Sequence, residues 1–313
     1  MIRSVTLRGA AACLAATLAC ATAEAQLFRA YLAADGNDGN PCTLQAPCRL
    51  LPAALNAVAS GGEIWMLDSA NYNTSTVTIN KSVSILAVPG AVGSIVAQNG
   101  GSAVSIAAGG LAVALKNVVI GPVAGAAPGL NGVHLTAAST VTIEDSLIVN
   151  LPVSGIRVDG EGVLKVARSI LRNNGFFAIL LTGGSAMIAS SQMLANVGGG
   201  FSSQLATAVT SASSISDSVI SGGANGVFVR SNTGDATVRV ALTRSTIERT
   251  SYALISETPG GGVASIAVSG SMIVNNGYGW YQSGAGSVIR SLGNNHFGDN
   301  TQVFGTLTPA SLQ

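Results

Sequence analysis

The chain has 313 residues, of which 48% are hydrophobic, 9% charged and 4% aromatic, with a formal net charge of +1. Ordinary globular chains carry about 25% charged residues, so Ser, Thr, Asn and Gly must cover this surface, and the clustered Lys and Arg that nucleic acid or anionic lipid requires are missing. Mean hydropathy is +0.48, yet after residue 25 no apolar run approaches the roughly 18 residues that span a bilayer.

Residues 1–25 stand apart. Arg3 and Arg8 precede the apolar run Ala10–Ala23, and Ala23-Glu24-Ala25 offers a small-residue cleavage site before Gln26. This reads as a secretory signal peptide cleaved after Ala25, which predicts a secreted, periplasmic or cell-surface protein. Cys13 and Cys20 leave with that segment. Cys42 and Cys48 stay, in GNPCTLQAPC, and a close pair in an exported chain predicts one disulfide.

Residues 26–62 read as an N-terminal cap. Asp35, Asn37, Asp38 and Asn40 could ligate calcium, but they lack the ligand frame of an EF-hand, and turn chemistry is the favoured reading. Leu50, Leu51, Ala54, Leu55 and Val58 fall at helical spacing, with Gly61-Gly62 as the stop. Residues 63–300 form the body. It opens on irregular strands whose inward residues are Ile64 and Met66, Val77 and Ile79, then Val83, Ile85 and Ala87. Gly121–Gly129, Gly198–Ser203 and Thr258–Gly262 read as loops. Residues 301–313 read as a C-terminal cap or tail, with Val303, Phe304 and Leu307 folding across the end.

The body repeats itself. Thr140–Gly162 and Val163–Ser185 match at Val141/Leu164, Ile143/Val166, Ser146/Ser169, Ile148/Leu171 and Ile156/Ile179. The pattern extends to Asn117, Asp145, Arg168, Ser191, Asp217, Arg244, Gly270 and Asn294 as equivalent anchors, a solenoid period. Two residues before the anchors stand Leu115, Ile143, Val166, Ala189, Ile215, Leu242, Val268 and Leu292. Three after them stand Ile120, Ile148, Leu171, Leu194, Ile220, Ile247, Ile273 and Phe297. All are apolar. The alternation within each unit has period 2, so the segments are short strands with one buried face. One such unit cannot cover its own apolar side chains. Stacked units can, with strands pairing in parallel at roughly 4.8 Å, which predicts an all-β, single-domain parallel β-helix of about nine or ten coils. An open end of such a stack exposes core and unpaired backbone, and the helix in residues 26–62 is the natural lid.

Five residues after the anchors, Asn150, Asn173, Asn196 and Asn275 recur. Asn tolerates the left-handed conformation of a sharp turn, and stacked amides can bond one another. On these residues the chain resembles the right-handed parallel β-helix proteins of the pectate-lyase-like superfamily, and Tyr31–Tyr72 resembles the amino-terminal signature of secreted bacterial β-helix proteins. The right hand is what the resemblance implies.

Enzymes of that superfamily act on the outward face of a parallel sheet, on a polysaccharide. The resemblance implies acidic calcium ligands with an Arg or Lys base, or several Asp with GHG and RxK segments, and this chain has neither set: His134 lies in NGVHL and His296 in NNHF. The outward slots collect polar groups in one place, Lys116, His134, Glu144, Arg157 and Lys165, with Asp159 and Glu161 following. Such a patch could bind an acidic sugar or supply an acid and a base; the competing reading is a plain solvated face. Phe228 and Tyr281 are outward and could stack on sugars, while Trp280 takes an inward slot. The sequence therefore predicts a non-catalytic structural or carbohydrate-binding protein with a polysaccharide or cell-surface glycan as partner, no metal site and no cofactor; the alternative is a polysaccharide lyase, hydrolase or epimerase.

Overall fold

The computed structural model describes residues 26–310 apart from 124, 126 and 128; the signal peptide predicted for residues 1–25 lies outside them. The described chain winds into a solenoid of three parallel sheets, with 12 strands in sheet A and 10 each in sheets B and C. One coil shows the circuit: Thr140–Glu144 in A, Leu147–Val149 in B, Ile156–Val158 in C, then Val163–Ala167 in A again. In-register pairing sets Ile143 on Leu115 and Val166, and Ile148 on Ile120 and Leu171. All six are at most 1% exposed.

Single residues in the left-handed conformation turn the chain at two corners. Asn117, Asp145, Arg168, Ser190, Asp217 and Arg244 do so between sheets A and B; Asn150, Asn173, Ala195, Arg249, Asn275 and Asp299 do so between B and C. That conformation costs an ordinary L-residue roughly 1–2 kcal/mol. At two A–B corners an arginine that adopts it is held by the aspartate one coil earlier: Arg168 Nε lies 2.7 Å from Asp145 Oδ1, and Arg244 Nε 2.7 Å from Asp217 Oδ1.

One coil departs from the predicted register. Its corner is Ser190, not Ser191, because Ala167 pairs with Ala189. A slip of one residue exchanges the two faces of a strand, so Ile188 and Met193 enter the core in place of Ala189 and Leu194. In the last coil Ser291, not Leu292, pairs with Val268, and Ile289 continues the neighbouring ladder on Ile266; Phe297 keeps its predicted place on Ile273, though it and Leu292 are only partly buried. The predicted asparagine ladder moves too. Asn173 is exposed at its corner, and the amides that stack belong to the following position: Asn174 Nδ2 donates to Asn196 Oδ1 at 2.8 Å, and Asn276 Nδ2 to Asn300 Oδ1 at 2.9 Å.

At the amino end, Leu27–Leu32 is already the first rung of sheet A, and Cys42 and Cys48 form a disulfide beside it. Asp38 Oδ1 accepts the N–H groups of Arg49 and Leu50 at 2.9 and 2.8 Å, and Asn37 Oδ1 accepts that of Gly39. These are turn and helix-entry bonds. Helix Leu51–Ala57 buries Leu51, Ala54 and Leu55. It ends at Val58 rather than at Gly61-Gly62, because Val58 is extended and pairs with Leu27 as the first residue of the next strand. Most of Gly198–Ser203, read as a loop, instead belongs to the strand Gly199–Leu205 of sheet C. No helix among the described residues is long and apolar enough to cross a membrane.

Candidate functional site

The structure divides the five predicted patch residues between two faces. Lys116, Glu144 and Lys165 project from sheet A, and His134 and Arg157 from sheet C. Each is an outward slot, but the chain crosses sheet B between the two sets, so they look in different directions.

On sheet C, His134 and Arg157 are register partners, and both turn to Asp159. His134 Nε2 lies 2.8 Å from Asp159 Oδ2, Arg157 Nε donates to both carboxylate oxygens at 2.8 and 2.9 Å, and Thr182 Oγ1 donates to Oδ1 at 2.7 Å. Burial alone would raise the Asp159 carboxyl; the hydrogen bonds from Arg157, His134 and Thr182 outweigh it and hold the group below the ordinary carboxylate range. With its lone pairs engaged by three side chains, Asp159 orients the imidazole and guanidinium and is a poor proton acceptor itself.

The same outward row runs on through Leu180, Ser202, Phe228, Ile255, Tyr281 and Phe304. Leu180 and Ile255 are 6% exposed and Ser202 is closed off, its hydroxyl taken by Gln204 Nε2 at 2.9 Å. The aromatic members stay open to solvent. Phe228 and Tyr281 are half-buried, Tyr281 stacks on exposed Phe304 at 4.9 Å, and Tyr252 and Tyr278 lie parallel at 4.6 Å with Tyr281 edge-on to both. At about 4.8 Å per rung, some 14 Å separate Arg157 from Phe228 and about 10 Å separate Phe228 from Tyr281. Trp280 packs inward against Phe297 at 5.5 Å.

On sheet A, Glu144 Oε2 lies 3.7 Å from Lys116 Nζ and 3.5 Å from Arg168. Lys165 stands one coil further on, beside Thr142. Sequence reasoning overlooks three neighbours. Arg29, Glu63 and Trp65 share this face, with Arg29 2.7 Å from Glu63 and its guanidinium 4.0 Å from the Trp65 ring centroid. The signal for Trp65 is present in the text: Ile64 and Met66 are core residues, so the residue between them points out. Thr182, Tyr252, Tyr278 and Phe304 are also absent from the predicted set, because turn spacing hides their register. Among the described residues no three His, Cys, Asp or Glu side chains converge.

A family model for a right-handed beta helix region matches residues 131–301. Two solved structures share the fold. Pectate lyase Pel9A superposes with a TM-score of 0.55 at 15% identity, covering 92% of this chain and 79% of that one. XylC in its complex with xylose gives a TM-score of 0.59 at 10% identity, covering 85% and 75%. At these identities the likeness is one of fold. No curated protein is significantly similar to the chain.

Proposed function

The chain belongs to the right-handed β-helix family, and on that premise we propose that it is an exported protein that binds a glycan along the outer face of sheet C without cleaving it. The observation that carries this reading is the single outward row with His134 and Arg157 at one end and Phe228, Tyr281 and Phe304 at the other. Aromatic faces take the C–H faces of sugar rings, and hydrogen bonds from Arg and His take hydroxyl, carbonyl or carboxylate oxygens. The carbohydrates named with its two fold neighbours, pectate and xylose, agree with a glycan partner.

Non-catalysis rests on the acids. Glycoside hydrolysis needs two carboxyl groups about 5–9.5 Å apart across the scissile bond. Asp159 is engaged by three donors; Glu161, two residues on, is exposed in the turn that leaves sheet C for sheet A; and Glu257, held 3.7 Å from Arg230, stands four rungs from Asp159, about 19 Å at 4.8 Å each. Reducing-sugar and unsaturated-product assays on full-length protein test this reading; it requires binding with no product.

One observation favours an enzyme instead. The contact between His134 and Asp159 is the pairing that orients an imidazole as a general base. Turnover that vanishes in His134→Ala while glycan binding persists would establish that second reading.

A further inference from the structure

We propose that sheet A carries a second carbohydrate site, in which the ring of a neutral saccharide lies in a trough against Trp65. This site is independent of the sheet C face. The trough has a volume of about 200 Å³ and runs from Trp65 over Leu86 and Ala114 to Lys116 and Glu144. That is below the roughly 300–1,000 Å³ of sites for drug-sized ligands, so it suits one sugar ring.

Trp65 is held in place before any ligand arrives. Its Nε1 donates to Glu63 Oε2 at 3.1 Å, Arg29 lies over the ring at 4.0 Å, and Tyr31 meets it edge-on at 6.3 Å. Arg29 and Tyr31 stand on the rung before Trp65, while Leu86 and Ala114 stand on the two rungs after it. The indole is therefore braced from one side and lines the trough with the other. A fixed aromatic wall over a small apolar floor matches the apolar face of a pyranose ring, and it costs little ordering on binding.

The polar groups specify the rest. Of the lining residues Glu63 and Glu144 are acidic and Lys116, 3.7 Å from Glu144, is basic; Arg29, beside the trough and 2.7 Å from Glu63, brings the group to charge balance. A wall that sets carboxylate acceptors and ammonium donors side by side answers hydroxyl groups, each of which both donates and accepts. An anionic sugar would have to displace Glu144 from Lys116. Beyond Thr142 and Glu144 a second hollow of about 260 Å³, with Lys165 and Met187, continues the trough, which leaves the bound ring room to belong to a chain.

The chain has two tryptophans, so Trp280→Phe makes Trp65 the only fluorophore of its kind. The experiment titrates that variant with xylo- and cello-oligosaccharides and with oligogalacturonate, at low and high salt. The expected result is a saturable change in Trp65 emission with a neutral oligosaccharide, insensitive to salt. Adding Ala114→Phe, which fills the floor from an outward position, should weaken it by up to about tenfold, the order of one lost stacking contact. Adding Phe228→Ala and Tyr281→Ala should leave it unchanged, which separates this site from sheet C. Circular-dichroism melting of each variant checks the fold. No saturable change with any neutral sugar, a response to oligogalacturonate alone that salt abolishes, or full binding with the floor filled would each overturn the proposal.

Discussion

The backbone N–H of Ser146 donates to the hydroxyl of Ser169 in the next coil at 3.2 Å, and that hydroxyl donates in turn to the carbonyl of Ala167 at 2.8 Å. The same two bonds recur at Ser191, Ser218, Ser245 and Ser271, so a buried serine ladder runs along the A–B corner. Each left-handed corner residue turns the following N–H away from the strand ladder, and the serine above receives it.

Ser191→Ala should therefore strand the N–H of Ser169 at a site that is 1% exposed, while the carbonyl of Ala189 keeps the N–H of Arg168 at 3.1 Å. The expected cost is about 1–3 kcal/mol, read as a lower urea midpoint at unchanged slope. An unchanged midpoint would mean that the ladder contributes nothing.

The two asparagine positions at the B–C corner should respond differently. Asn196 is 1% exposed, accepts from Asn174 and donates to the Leu171 carbonyl at 3.0 Å, so Asn196→Ala should cost about 2 kcal/mol or more. Asn173→Ala should cost less, about 1 kcal/mol, the left-handed strain that Ala195 already bears at the same turn one coil on. Melting temperatures of the two variants decide it; equal losses would contradict the shifted register.

Ile148→Lys and Ile220→Lys should abolish soluble folded protein, since both side chains are fully buried in ladders that offer an ammonium group no partner. A normal melting curve for either would sink the assigned register.

Asp159 should make stability depend on acid pH. Its folded carboxyl titrates below the ordinary value of about 4, so its contribution is present above that pH and is lost as pH falls through the lower folded value. The drop in melting temperature between pH 6 and pH 3 should be smaller in Asp159→Asn than in the wild type. An identical drop would show that the His134–Asp159–Arg157 cluster does not contribute to stability.

The scaffold is legible in the sequence because a solenoid writes its core as apolar ladders with period 2, and a Lys or Asp in such a slot would be excluded. The one-residue slip at Ser190 is not legible: Ile188 and Ala189 are both apolar, as are Met193 and Leu194, so either register satisfies the pattern. The serine ladder shows only as the match of Ser146 with Ser169, since a serine that is buried looks like a surface serine until the donor from the neighbouring coil is known. The outward direction of Lys116, His134, Glu144, Arg157 and Lys165 is also legible. Their division between two faces depends on the cross-section of the coil, which spacing along the chain does not encode.

Calorimetric titration of the full-length chain with pectic and xylan-derived oligosaccharides, followed by mass spectrometry of the same samples, tests glycan binding without cleavage most directly. The expected result is saturable binding of at least one of them, weakened about tenfold by Arg157→Ala or by Phe228→Ala with Tyr281→Ala, and oligosaccharide masses that stay unchanged throughout. No binding to any member of the panel, or shortened or unsaturated products in the wild-type sample, would contradict it.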